Sequence, residues 1–510
     1  MEFNLKKTSV GELSTVLDTV SEQPVDIDFT LPDYCPDIEK ILRCKITPKI
    51  YNKNLSGGQL QLDGTTVVTV LYVDAQNNTI RACEQSLPFS ASFSLKDLPE
   101  QYIVDAFTKC EYVNCRALSK RRLTVHGAFS LYARVRAKSL IELCSPDDDD
   151  SLEYNTKDIR CASLTSLGQE QFSAGDELKI TGKPPVEIIL DSDVRACITD
   201  YKVIPDRLML NGELNVRILY LSSPDSATPE QIDCLIPFNK ILECDGLGED
   251  STVCVDVSLM SFDIRLKSDI LSEDPVVDVD SRLCATVVGY TSVTVPIVLD
   301  AFSTEYVVEL ENSQLTLPEE ICVLQDSFMQ KETLSFDDAP IAEIVDFRCE
   351  HTSLNPILNG SEITLNSKLN ICILAKDSDN QPLYLERSVE FSKQLETEID
   401  CNNILSVNSC VASLSYRLSD NNTIELRAEI KYCVTASKTT NCTMVTAICA
   451  NEENRVNKKS CALTLYYAEA GEKLWDIAKT YSTRQKMICE ENGLECEELI
   501  GPTMLLIPTI

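Results

Sequence analysis

The sequence predicts a mainly β protein: three repeated β-rich, sandwich-like domains, then a small α+β unit of βααβ order. Three observations carry this expectation. Apolar residues alternate with period two through most of the chain. One strand pattern recurs three times at domain-sized spacing. The final stretch switches to a helical period.

The recurring strand begins at Leu60 (LQLDGTTVVTVLYV), at Leu208 (LMLNGELNVRILYL) and at Ile363 (ITLNSKLNICILAK), offsets of 148 and then 155 residues. Leu62-Asp63-Gly64 matches Leu210-Asn211-Gly212 and Leu365-Asn366-Ser367, and Leu71 matches Leu219 and Leu374. Within the second copy, Leu214, Val216, Ile218 and Tyr220 share one face, with Asn215 and Arg217 on the other. That is the signature of a half-buried β-strand. The Asp-Gly and Asn-Gly pairs fit either hairpin turns or strand glycines that admit close approach of another group.

Each copy has a lead-in: LPDYCPDIEKIL from Leu31 to Leu42, PPVEIIL from Pro184 to Leu190, and APIAEIV from Ala339 to Val345. Two copies have a second, downstream strand of similar type, LTVHGAFSLYARV from Leu123 and IELRAEIKYCV from Ile424, and the middle copy has a looser counterpart, RLCATVVGYTSVTV from Arg282. The expected division is 1–160, 161–316 and 317–450 for the three β domains, 451–462 for a polar linker, and 463–510 for the terminal unit. Asp147–Asp150 and Pro224–Pro229 read as loops. The aspartate run lacks the spaced ligands and turn glycine that calcium needs.

Across 510 residues the net charge is -34, a balance that repels nucleic acid and anionic lipid. Two histidines rule out a multi-histidine metal or catalytic site. His126 reads as structural or exposed, as does His351. No GxSxG, Walker A, HExxH or Rossmann fingerprint occurs, so no enzyme, cofactor or metal site is expected. No CxxC pair occurs among 23 cysteines. Many sit in apolar strand patterns, where a reduced thiol acts as a small hydrophobe. Neither a signal peptide nor a run of about 18 apolar residues is found, so a cytosolic setting without a transmembrane segment is expected.

In the terminal unit, Leu463–Tyr467 reads as a strand. Leu474, Ile477, Ala478 and Tyr481 then share one helical face. A second helix fits Arg484–Glu491, ended by Asn492-Gly493, and Met504–Ile507 closes as a strand. The motif Tyr467…Gly471-Glu472-Lys473-Leu474-Trp475-Asp476-Ile477-Ala478…Tyr481, then Asn492-Gly493-Leu494 and Leu505-Leu506-Ile507-Pro508, closely resembles a LysM domain. The resemblance implies a shallow groove for N-acetylglucosamine polymers between Ala470–Leu474 and Leu499–Met504. Its expected binding residues are Gly471, Glu472, Lys473, Leu474, Trp475, Asn492, Gly493, Leu494, Gly501, Pro502, Thr503 and Met504. This copy has Gly-Glu-Lys-Leu in place of Gly-Asp-Thr-Leu, losing a capping hydroxyl. It also has Gly501-Pro502-Thr503 in place of Pro-Gly-Gln. Trp475 reads as core packing, as a sugar-stacking platform, or as an anchor for a partner.

The lead-in, the β repeats and the LysM-like end together resemble the SipL-like spore coat morphogenetic proteins of Clostridia, built from SPOCS domains plus LysM. The resemblance implies a non-enzymatic role in coat assembly, at the forespore surface in the mother-cell cytoplasm. It also implies that the LysM-like unit docks the spore morphogenetic ATPase SpoIVA, with other coat proteins as further partners. A peptidoglycan- or chitin-binding wall protein is the alternative, and a phage tail-assembly protein a third reading.

Overall fold

The structure is a computed structural model. It describes the chain except residues 1, 225, 227, 269–274, 337–339, 421, 457–460, 495–498, 500 and 510, and the side chains of 268, 275, 350–353 and 451–452. Ala339 of the third lead-in, the side chain of His351 and Ile500 of the expected groove thus lie outside the described residues.

The chain is mainly β, as the alternating pattern predicts. The first repeat comprises β1 (Glu2–Phe3), β2 (Lys6–Thr30), β3 (Ile38–Ser56), β4 (Gln59–Asp74), β5 (Ile80–Ser94), β6 (Tyr102–Ser119) and β7 (Arg122–Ser145). The second comprises β8 (Leu152–Leu178), β9 (Ile188–Ile204), β10 (Arg207–Leu221), β11 (Glu230–Glu243), β12 (Thr252–Ser268) and β13 (Pro275–Ser303). The third comprises β14 (Tyr306–Ser335), β15 (Glu343–Asn359), β16 (Glu362–Lys376), β17 (Pro382–Glu396), β18 (Asn403–Asp420) and β19 (Thr423–Arg455). The terminal unit follows as β20 (Leu463–Ala468), α1 (Leu474–Tyr481), α2 (Gln485–Asn492) and β21 (Thr503–Pro508). β8 runs through position 161, β14 runs through position 317, and β19 extends into the polar stretch after 450.

Each repeat is two three-stranded antiparallel sheets packed face to face. The recurring strand is the centre of one: β3-β4-β5, β9-β10-β11 and β15-β16-β17. The downstream strand is the centre of the other: β2-β7-β6, β8-β13-β12 and β14-β19-β18. One core joins the two sheets. In the first repeat Leu60, Leu62, Val68 and Tyr72 of β4 pack with Leu123, Val125 and Phe129 of β7. The alternation of apolar residues decides which face turns inward, because side chains on a strand point to opposite faces in turn. The lead-ins close the sandwich edge with Leu31, Val186 and Ile341, all buried. The buried Tyr72 and Tyr220 hydroxyls each donate to a lead-in proline carbonyl, Pro36 at 3.3 Å and Pro184 at 3.0 Å.

The Asp-Gly and Asn-Gly pairs lie within strands, not turns. Gly64 and Gly212 sit opposite Phe89 and Phe238 on the neighbouring strand. A Cβ at either glycine would come within 2.3 Å of that ring. The missing side chain lets the phenylalanine cross the strand and meet an aromatic of the other sheet: Phe89 on Phe129 at 5.1 Å, and Phe238 on Phe172 at 5.7 Å. In the third repeat Ser367 holds the glycine position opposite Phe391, which meets Phe328 at 5.6 Å.

The three repeats converge with approximate threefold equivalence. Leu42, Leu190 and Val345 share one buried cluster with Leu71, Leu219 and Leu374, and both triplets are related by the offsets of the sequence repeat. The same offsets carry Arg43 onto Asp191 and Asp346, and Lys45 onto Asp193 and Arg348. At this junction Asp191 Oδ2 accepts from Arg43 at 2.6 Å and from Arg348 at 2.7 Å, with all three side chains buried. Arg348 also donates to Asp346 at 2.6 Å, Arg195 pairs with Asp193 at 2.6 Å, and Arg217 lies 3.2 Å from Asp346. At the opposite flank, Val10 and Leu143 of the first repeat pack with Ile297 of the second and Leu317 of the third. β1 pairs with β19, Phe3 opposite Ile448, so the first residues are tied to the last repeat.

Two outcomes are expected. Gly212→Val should cost at least about 1–3 kcal/mol through overpacking against Phe238 and the Cys197 carbonyl. A lowered urea midpoint reports this, and an unchanged midpoint speaks against the crossing ring. Burial alone would raise the Asp191 carboxyl, but the charges of Lys45, Arg348 and Arg43 outweigh it and hold it well below the usual range. A depressed carboxyl contributes stability that is fully present above its unfolded value of about 3.9 and is lost as pH falls through the lower folded value. Asp191→Asn should therefore cost about 3–5 kcal/mol at pH 7, because it leaves buried guanidinium groups uncompensated. The gap to the unsubstituted protein should narrow only below about pH 4, as read from melting curves over pH 2–7.

Candidate functional site

The terminal unit has the βααβ order expected from its sequence. β20 and β21 pair antiparallel, with Tyr467 opposite Met504. α1 begins at Leu474 without a side-chain cap, since Lys473 occupies the position where a hydroxyl would cap it. Leu474, Ile477, Ala478 and Ile488 are buried with Leu505 and Ile507 against the inner face of the two-stranded sheet. Gly493 ends α2 with a left-handed φ of 63°. Asn492 locks that helix to β21: its side-chain amide donates to Leu506 O at 2.7 Å, and its Oδ1 accepts from Leu506 N at 2.7 Å. Leu494 packs at the edge of the same core.

The two loops expected to flank a groove are hydrogen-bonded to each other. The Gly471 amide donates to the Leu499 carbonyl at 2.9 Å, and the Leu499 amide donates to the Glu472 carbonyl at 3.2 Å. Gly471 needs its φ of 89° to make this turn. The Glu472 carboxylate accepts from the Glu469 amide at 3.0 Å and from the Tyr466 hydroxyl at 3.1 Å. That second bond raises the Tyr466 hydroxyl above its ordinary pKa. Thr503 Oγ1 donates to Gly501 O at 2.9 Å, and Pro502 is exposed. Glu472 therefore braces the turn before α1, while the helix itself stays without a side-chain cap.

Trp475 is buried at the contact between the terminal unit and the second repeat. Its indole packs on Phe302 of β13 at 5.0 Å, and its N–H donates to Asp300 at 2.8 Å. Lys479 reaches the same carboxylate at 2.6 Å. Arg484 donates to the Asp150 carbonyl and lies 3.8 Å from Glu153. The aspartate run is thus the solvated loop expected of it, and part of it meets the terminal unit. Sequence reasoning did not find Asp300 and Phe302, because neither belongs to a motif and both act only through contact with a distant segment.

The other face of the small sheet is apolar and open. Leu463, Leu465, Tyr467 and Met504 are 46%, 63%, 66% and 59% exposed. They alternate with the inward Tyr466, Ala468, Leu505 and Ile507, so one strand period supplies both faces. Met504 is the one expected groove residue that belongs to this strip. His126 is exposed and bonds Asp26 at 2.7 Å. Among the described residues no group of three or more His, Cys, Asp or Glu is placed to hold a metal ion. No helix of the described residues is long and apolar enough to cross a membrane.

The family model described as SipL, SPOCS domain matches residues 37–118 and 185–267, together about a third of the chain. The two matched segments are similar to that domain and support a SipL-like family. They correspond to β3–β6 and β9–β12, one three-stranded sheet plus the next strand in each case. β15–β18 repeats the same order in the third repeat. No curated protein and no solved structure matches the chain.

Asp300→Ala should release the terminal unit from the second repeat while leaving its own core intact. A hydrogen bond to a charged group is worth about 1.5–3 kcal/mol. Amide exchange in α1 should therefore accelerate about tenfold or more, with β4 and β7 unchanged. Equal exchange in both proteins would show that the docked position does not depend on this carboxylate.

Proposed function

We propose that the protein is a non-enzymatic assembly protein of the spore coat, acting at the forespore surface in the mother-cell cytoplasm. The terminal unit, with its LysM-like motif, docks the morphogenetic ATPase SpoIVA, and the three-repeat body attaches other coat proteins. The observation that carries this reading is the pair of SPOCS-domain matches, at residues 37–118 and 185–267. The open apolar strip of Leu463, Leu465, Tyr467 and Met504 supports a protein ligand for the terminal unit. Exposed aromatic and aliphatic side chains on a rigid sheet suit a protein interface. The mutual bonding of the two expected groove loops points the same way, since it uses backbone groups that a glycan would need. Several repeats on one body suit multivalent attachment.

The test compares the full chain, a chain ending at Val456, and the full chain carrying Leu465→Asp and Tyr467→Glu. Each is offered separately to purified SpoIVA and to purified peptidoglycan. The proposed function expects SpoIVA to be retained by the full chain and lost by both variants, by tenfold or more for the double substitution. Retention on peptidoglycan with no affinity for SpoIVA would establish the wall-binding alternative.

A further inference from the structure

The seam between the second and third repeats gathers thiols. Cys197 of β9 and Cys410 of β18 stand 213 residues apart in the chain, yet their sulfurs are 2.7 Å apart. That separation approaches the ~2.05 Å of a formed disulfide. Cys254 of β12 and Cys433 of β19 share a hydrogen bond across the same seam. Cys197 is buried and Cys410 half-buried, and both line, with Cys433 and Lys431, one open cavity of about 650 Å³, the route by which a small peroxide would reach the pair. We propose that Cys197 and Cys410 form an oxidation site, at which a peroxide converts the thiol pair into a disulfide that staples the second repeat to the third.

The chemistry balances with one hydrogen peroxide. The Cys197 thiolate attacks a peroxide oxygen; the S–O bond forms, the O–O bond breaks, and hydroxide leaves and takes up the proton released by the thiol. The Cys410 sulfur then displaces the sulfenic hydroxyl, which departs as water with the Cys410 proton. Two thiols give up two electrons, and one peroxide becomes two waters. The surroundings favour the first step. A hydrogen bond shared with Cys410 holds Cys197 below its ordinary pKa against the opposing effect of burial, with Lys431 and Arg195 adding to it. A lowered pKa puts more of the sulfur in the nucleophilic form.

The experiment titrates the reduced full chain with hydrogen peroxide, blocks remaining thiols with N-ethylmaleimide under denaturing conditions, and maps peptides by mass spectrometry without reduction. A linked peptide pair joining Cys197 to Cys410, 2 Da lighter than the two reduced peptides, is expected. It should appear at about fivefold less peroxide than oxidation of the exposed Cys110 and Cys461, as a thiolate-rich site demands. The cross-linked protein should melt at least ~5 °C higher, reversibly with dithiothreitol, because a long loop is closed. Cys410→Ser should abolish both the linked peptide and the shift, whereas Cys110→Ser should keep them. Recovery of Cys197 and Cys410 as two maleimide adducts while Cys110 is oxidised, or linkage of Cys197 to another cysteine, would overturn the assignment. The unsubstituted protein decides the matter even if Cys410→Ser does not fold.

Discussion

The body of this protein depends on a buried electrostatic junction where three unlike repeats meet. Arg43, Asp191 and Asp346 occupy one equivalent position, and Lys45, Asp193 and Arg348 another. Three identical residues at such a point would place like charges together in a desolvated site. Divergence makes the set complementary: one aspartate of the second repeat serves an arginine from each of the other two. Buried ion pairs add little net stability over a well-packed apolar alternative, but they penalise every arrangement that leaves one of them unpaired. The junction therefore fixes which repeat sits beside which. The adjoining aliphatic triplets supply the burial that holds them there.

This division of labour bears on the overall charge. The chain carries 46 Lys and Arg against 80 Asp and Glu. Arg43, Lys45, Arg195, Arg217 and Arg348 are gathered at the junction against three aspartates. Among the described residues the fully buried charges balance, Arg43, Arg348 and Lys376 against Asp74, Asp191 and Asp346, so the outer surface keeps the acidic excess of the whole chain. Such a surface keeps copies apart in solution.

Much of the architecture was legible in the sequence, for physical reasons. Alternation in ELNVRILYL marks a strand because a pleated backbone offers only two faces. The spacing of Leu62, Leu210 and Leu365 marks a repeat because each sandwich needs the same central strand. The helical period of Leu474, Ile477 and Ala478 marked α1 within the unit that β20 and β21 close. What escaped were properties of tertiary contact. The charged triplets lay at the same offsets as the leucines, and an alignment of all three copies would have exposed them. Asp300 and Phe302, by contrast, carry no local signal. From sequence alone, Trp475 fits core, platform or anchor. The structure packs it in the buried core of the terminal unit, where the same indole also meets Phe302 and donates its N–H to Asp300.

The pairing of Phe3 with Ile448 has a consequence for biosynthesis. A ribosome must deliver residue 448 before the leading residues find their strand partner. Each sandwich has all six of its own strands once its last one emerges, but the ring of three waits for the final strand of the third. Until then the earlier repeats expose the apolar surfaces that later face their neighbours. Nascent chains of this protein therefore pass through an incomplete, sticky stage whose length is set by translation speed, and slowing translation of the third repeat would prolong it.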